Sequence, residues 1–281
     1  LGCEPLVVQA GPSLAGDLQA AGPQAAIMAV LDERLADGAV QDVCAELEIA
    51  CVGATAPALR ACADRVVAAE RLAGHGVPVP DQRLFTRAAI HAVGLGAVLP
   101  RTAQALGADV MIKPRFGTGG LGVKRVRGGD LAGAVLNTFN YGDAVVVERV
   151  VPGRELTVLM TGAVDEPMAV GVAQVRYKSE DSLAAAWARE FQPADDVDRS
   201  SLGVAVNAAR GAAWALGLSG LSTVDVIVDD DGKAWVIDVD GMLDWRSTGV
   251  LSACLAHGDC TAPQLVASLL RDVGAAMRLA A

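Results

Sequence analysis

The sequence predicts a mixed α/β (α+β) protein, and three stretches predict it. Residues 1–80 alternate short apolar runs with helical stretches, the pattern of a parallel α/β domain. From Ala144 to Arg176, three β-branched runs separated by "PGRE" and "DEP" read as an antiparallel meander. Residues 224–240, "VDVIVDDDGKAWVIDVD", read as two strands joined by an Asp-Gly turn.

In chain order, Leu6–Gln9 and Ala25–Leu31 read as buried strands, 38–48 as a helix and 49–53 as another strand. A single helix is expected from about Pro57 to Ala73. "GHGVPVPDQ" (74–82) breaks the alternation with Gly and Pro and marks a domain boundary. Residues 83–141 hold two helices around a strand, Asp109–Lys113, with a Gly-rich loop after it. Residues 177–199 are polar and acidic, without periodicity, and read as a long loop of the kind that is functional or disordered. Helices over 199–216 and 261–279 flank the hairpin. The expected domains are 1–78 (N-terminal α/β), 79–153 (central, with the Gly-rich loop) and 154–281 (C-terminal).

The chain is 52% apolar but only 4% aromatic, so Ala, Val and Leu must fill the interior. A net charge of −10 argues against a nucleic-acid partner, which needs a basic stripe. No apolar run approaches the roughly 18 residues of a membrane span. The N-terminus lacks the basic and apolar segments of a secretory signal, and its start at Leu1 rather than Met leaves upstream residues open. Cys3, Cys44, Cys51, Cys62, Cys254 and Cys260 follow no framework spacing, which fits reduced thiols in a cytoplasmic protein. Cys254, His257 and Cys260 lack a fourth ligand and a paired CxxC, so zinc is not expected.

The hairpin carries an excess of like charge. Asp229, Asp230 and Asp231 lead into Gly232, but Asp225, Asp238 and Asp240 lie inside the strands. With Asp231-Gly232 as the turn, Asp230 pairs with Lys233, Asp225 faces Asp238, and Asp240 points the same way. Like charges facing each other destabilise a sheet, and a hard divalent cation would neutralise them. A solvated polar face, with Val224, Val226, Val228 and Val236 toward the core, fits the same pattern.

In "VMIKPRFGTGGLGVKRV" (110–126), Lys113 ends a strand, and Gly117, Thr118, Gly119, Gly120 and Gly122 form a loop that returns as a strand. Such a loop exposes backbone N–H groups to phosphate oxygens, with Lys113 as a point charge beside them. The lysine precedes the glycines, so this is not a P-loop, and a plain flexible hairpin fits equally. In "AVVVERVVPGRELTVLMTG" (144–162), Glu148 ends one strand and Glu155 begins another; surface carboxylates are the default reading of both.

Taken in order, a lysine with its glycine loop, then Glu-x6-Glu, then paired strands ending in acid-x-acid, resemble the ATP-grasp superfamily. "LADGAVQDVCAELEIACVGATAPALRACADRVVAAERLAGHGVPVP" (35–80) resembles its D-alanine–D-alanine ligase branch, and the resemblance covers residues 25–270. It implies that Lys113 and the loop from Gly117 to Gly122 hold ATP phosphates. Glu148 would face the adenine amino group, the Arg149–Val151 backbone would be the hinge, and Glu155 would bind the ribose. Asp225, Asp238 and Asp240 match metal-ligand positions for two Mg²⁺ ions, with Mn²⁺ as a substitute. Lys178, in a lid over 177–199, would touch the phosphates, although a solvated lysine fits too.

The departures bear on substrate. Leu31-Asp32 and Ala36 stand where the ligases have a His-Gly and an acid, and Arg65 stands for a helix lysine. Thr223 takes the place of an oxyanion-binding arginine. Arg246 in "DWRS" would replace that arginine or clamp a substrate carboxylate, unless it pairs with Asp244; Trp245 fits core or substrate wall. The family's first strand-and-turn, with its amine-binding acid, has no counterpart after Leu1. The resemblance thus implies a cytoplasmic, Mg²⁺-dependent, ADP-forming carboxylate–amine ligase. Its small-molecule substrate would be amino-acid-like but not simply two D-alanines, and dimers are common among relatives. A specialised-metabolite pathway, and within it a ring-closing ligase of the D-cycloserine-forming type, suits these changes. An ATP-grasp phosphotransferase and a catalytically silent nucleotide-binding protein are the other classes.

Overall fold

The computed structural model describes residues 4–28, 35–117, 120–177, 189–242, 249–256 and 260–280. The N-terminal part holds α1 (Leu14–Ala21), β1 (Ala25–Ile27), α2 (Ala39–Glu46) and β2 (Ala50–Val52). β1 and β2 pair in parallel, Ala25 with Ala50 and Ile27 with Val52, and Leu18, Val40, Cys44 and Ile49 form a small core. The expected strand Leu6–Gln9 does not form: Leu6 is 63% and Val7 96% exposed. β1 is likewise shorter than expected, and 29–31 lie outside the described residues.

The single helix expected over 57–73 is two, α3 (Ala56–Ala63) and α4 (Arg65–Gly74). Asp64 breaks it by leaving the helical region at φ −97° and ψ 100°, and its carboxylate accepts from the Val66 and Val67 N–H groups as the cap of α4. Arg115 grips the same carboxylate with two nitrogens, at 2.9 Å and 2.7 Å. Capping and ion pairing are thus shared by one side chain.

A four-stranded antiparallel sheet follows, ordered β3-β6-β4-β5: β3 (Gln82–Thr86), β4 (Asp109–Pro114), β5 (Lys124–Arg127) and β6 (Ala144–Arg149). α5 (Arg87–Val93), α6 (Leu95–Leu106) and α7 (Leu131–Thr138) accompany it, with Phe85, Leu106, Ile112, Val135, Phe139 and Val147 in its core. β3 escaped the sequence reading because only Phe85 of "QRLFT" is buried.

The expected meander over 144–176 is corrected. β6 ends in the four-stranded sheet, and the chain crosses through Gly153 into a second, five-stranded antiparallel sheet. Gly153 passes so close to β10 (Ser222–Val228) that a Cβ would lie 2.4 Å from the Val228 carbonyl oxygen. The second sheet is ordered β11-β10-β7-β8-β9, with β7 (Arg154–Ala163), β8 (Glu166–Tyr177), β9 (Arg189–Pro193) and β11 (Ala234–Asp240). β9 lies where a continuous loop was expected. α8 (Arg199–Leu216) covers one face, and α9 (Val250–Leu255) and α10 (Ala262–Ala280) cluster with Leu159 and Ala173 of the other. Against α8, a seam of fully buried Ala205, Ala209 and Ala212 meets Leu156, Val158, Val224 and Val226. Leu59 of α3 and Leu72 of α4 join this cluster.

The hairpin differs from expectation in an instructive way. Asp229, not Asp230, pairs with Lys233, through its N–H to the Lys233 carbonyl at 3.0 Å, and Gly232 takes φ 75° in the loop. Val226 then pairs with Val236 but Asp225 with Asp238, so Ile237 is an extra residue in a β-bulge. Strict alternation would put Val236, Asp238 and Asp240 on one face. The bulge shifts the alternation, burying Val236 and Val239 while turning Asp238 and Asp240 away from α8.

Leu156→Ala, at a side chain with no exposure, is expected to lower the unfolding free energy by about 2–5 kcal/mol in urea titration. A pH effect is expected at Asp64. Burial pushes its carboxyl up, but the Arg115 guanidinium and the helix N–H groups outweigh this and hold it below its ordinary 3.8. Its stabilisation is therefore complete above about pH 3.8 and lost as pH falls through the depressed value. Asp64→Asn should remove this part of the acid limb of the stability profile.

Candidate active site

A cavity of about 970 Å³ separates the two sheets, with Lys113 and Glu148 on one wall and Glu155, Asp225, Asp238 and Asp240 on the other. In the β4–β6 ladder Lys113 faces Val146 and Glu148 faces Met111, which makes Lys113 and Glu148 diagonal neighbours on one face. The Lys113 Nζ donates to Glu148 Oε1 at 2.8 Å, with both side chains nearly buried. It also donates to the Ile237 carbonyl oxygen at 3.3 Å, across the cavity on the other sheet. A bulged residue leaves its backbone unpaired in the ladder, and here the lysine takes up that carbonyl.

The opposite wall holds a connected charge network. Thr157 faces Asp225 and Glu155 faces Ile227 across the β7–β10 ladder, so both acids share a face with Thr157. The Thr157 hydroxyl donates to Asp225 Oδ1 at 2.6 Å, and the Tyr177 hydroxyl to Glu155 Oε2 at 2.8 Å. From β9, Arg189 Nη2 reaches Asp225 Oδ2 at 2.7 Å and Glu155 Oε1 at 3.0 Å. Burial alone would lower the Arg189 pKa, but the Asp225 and Glu155 carboxylates outweigh it and raise it. Burial pushes the Glu155 carboxyl up against the pull of Arg189, and the Tyr177 hydroxyl is raised by burial and then by Glu155. Of the expected trio of metal ligands, Asp225 faces a guanidinium in this structure. Among the described residues no group of three His, Cys, Asp or Glu could hold a metal ion. Asp238 and Asp240 remain on the exposed part of the wall. Their nearness is registered by Cys62, whose thiol is pushed up to about 12 by burial and then by Asp240 and Asp238.

Of the other predicted residues, Gly117, Gly120, Arg65, Arg149 and Val151 line the cavity. Gly122 does not line it; at φ 72° it packs where a Cβ would come within 2.7 Å of the Tyr141 ring. Arg65 donates to the Pro114 carbonyl at 2.8 Å, which ties α4 to the start of the glycine loop. The Arg149 N–H, expected at the hinge, already donates to the Asp81 carbonyl at 2.9 Å. Thr118, Gly119, Lys178 and Arg246 lie outside the described residues, as does His257. Sequence reading missed Arg189, Tyr177 and Thr157. The only signal was Arg189 at the start of an alternating "REFQP".

Comparison with known proteins settles the class. The family described as D-ala D-ala ligase C-terminus matches residues 72–271. The chain belongs to the D-alanine–D-alanine ligase family. A D-alanine–D-alanine ligase from Gloeobacter violaceus is 29% identical over 256 residues, 89% of this chain and 82% of that protein. One from Anaeromyxobacter dehalogenans is 26% identical over 283 residues, 99% of this chain and 88% of that protein. Among solved structures, the D-alanine–D-alanine ligase of Bacillus anthracis superposes with a TM-score of 0.78 at 19% identity, covering 95% of this chain and 86% of that one. The VanG D-Ala:D-Ser ligase of Enterococcus faecalis gives 0.77 at 19% identity, over 89% and 73%. These likenesses show the ATP-grasp fold, and the family is one of ADP-forming carbon–nitrogen ligases. In this D-alanine–D-alanine ligase relative, the cavity lies between the two antiparallel sheets. Among the described residues no helix is long and apolar enough to cross a membrane.

Glu148→Leu is expected to lower stability by about 3 kcal/mol, because it leaves a nearly buried ammonium without its counter-charge. Combined with Lys113→Met, the loss should be smaller than the sum of the two single losses, as a double-mutant cycle in denaturant would measure.

Proposed function

We propose that the chain joins the carboxylate of one amino-acid-like molecule to an amine, with ATP converted to ADP and phosphate. The observation that carries this reading is the apposition, across one cavity, of the Lys113 ammonium and the Asp238 and Asp240 carboxylates. A carboxylate does not acylate an amine directly, because oxide is too poor a leaving group. Transfer of the terminal phosphoryl group of ATP gives an acyl phosphate and ADP. The amine then attacks the acyl carbon, phosphate leaves and the nitrogen loses a proton. The protein supplies positioning and charge.

In this reading Lys113 and the 117–122 loop receive the phosphates, Glu148 and the hinge around Val151 the adenine, and Glu155 the ribose. Arg65 steadies the loop through Pro114. Asp238 and Asp240 would hold a divalent cation such as Mg²⁺, which supplies positive charge to the terminal phosphates. Lys178 and Arg246 are assigned the lid lysine and the substrate or oxyanion clamp. The domains implied are 1–78, 79–153 and 154–281. Ala36 and Thr223 line the cavity in place of an acid and an arginine, so a substrate other than two D-alanines is favoured, in specialised metabolism.

ATP turnover with Mg²⁺ against a panel of amino acids and analogues, with ADP, phosphate and product mass followed together, tests the reading. Equal ADP and phosphate with a product one water lighter than its substrates is the expected result, and one substrate losing water would mean ring closure. ADP without phosphate, beside a product heavier by a phosphoryl group, would replace the ligase with a phosphotransferase. Asp238→Ala is expected to abolish ADP formation with an unchanged circular dichroism spectrum. Lys113→Met should lower kcat/KM by about a hundredfold or more.

A further inference from the structure

Arg189 is a nearly buried charged group of the cavity to which the proposed reaction gives no part. It comes from β9, reaches past β8, and lies between two acids on β7 and β10. Its Nη2 is 2.7 Å from Asp225, 3.0 Å from Glu155 and 3.4 Å from the Thr157 hydroxyl. The Phe191 ring lies 5.2 Å from its guanidinium carbon, and the side chain is only 21% exposed. Its Nε is buried and has no acceptor among the described residues, so one donor remains to be used.

Two like-charged acids on diagonal positions of one ladder need a counter-charge. Arg189 supplies it at hydrogen-bond distance from both. A cation bound through Asp225 would have to sit beside the guanidinium, on a carboxylate whose Oδ2 already accepts from Arg189 and whose Oδ1 accepts from Thr157. The two occupants exclude each other, because two cations sharing one desolvated site repel.

We infer that Arg189 is a built-in replacement for one of the two cations expected in the site, so that the protein binds ATP with a single divalent ion at Asp238 and Asp240. Arg189 is then a positioning residue: it keeps Asp225 and Glu155 in place. The inference rests on the ATP-binding reading above.

The test is the number of Mn²⁺ ions bound per bound non-hydrolysable ATP analogue, measured by loss of the free Mn²⁺ paramagnetic resonance signal, with nucleotide occupancy measured separately. The expected result is one ion for the wild-type protein and two for Arg189→Gln, which releases Asp225. Asp225→Asn should leave the wild-type count at one and the Mn²⁺ affinity nearly unchanged. Two ions in the wild-type protein, or a loss of about tenfold or more in Mn²⁺ affinity with Asp225→Asn, would overturn the inference while leaving the ligase reading intact. One ion in a folded Arg189→Gln protein would also overturn it. A wild-type protein that takes up no nucleotide would remove the ligase reading and this inference together.

Discussion

Lys113 carries its ammonium to a place with little water, between a carboxylate on its own sheet and a peptide carbonyl on the facing one. A charge there is tolerated only if it is paired and its donors are used. Glu148 provides the first condition, and the Ile237 carbonyl contributes to the second. That carbonyl is available because Ile237 is the extra residue of the β11 bulge. The same insertion turns Asp238 and Asp240 toward the cavity and Val239 into the core. One added residue thereby links the charge on one sheet to the acids on the other.

The walls differ in electrostatic character. The four-stranded sheet presents the nearly buried Lys113–Glu148 pair, whereas the five-stranded sheet presents the Arg189 guanidinium between Asp225 and Glu155, with Asp238 and Asp240 beyond it. Asp238 and Asp240 lie on the exposed part of that wall, and Arg189 sits deeper, where water is scarce. Its donors come from an edge strand, while the inner strands contribute the hydroxyl donors of Thr157 and Tyr177.

The parts legible in the sequence were those whose signal is local. Alternation over 224–240 located both strands, and the order of lysine, glycines and acids gave the fold and its family. The bulge left a trace too: Val236 in the core with Asp238 and Asp240 outside is impossible in one unbroken register, and resolving that conflict predicts an inserted residue. β3 was hidden because only Phe85 of it is buried, and Leu6–Gln9 looked like a strand but pairs with no strand among the described residues. The helix break at Asp64 depended on Arg115, fifty-one positions away. Arg189 was illegible for the same reason, since its meaning comes from strands brought beside it by the sheet rather than from its neighbours in the chain.

The alanine seam of α8 has a consequence for how such a protein diversifies. Ala205, Ala209 and Ala212 set the spacing between helix and sheet with methyl groups alone. Nearly every replacement there adds volume, and added volume in a filled interior displaces the backbone. The opposite face of the same sheet borders open space, where Thr223 can change size without moving a strand. Room for substitution therefore lies on one side: the closed face takes added volume only at a cost in packing, while the open face takes it into solvent.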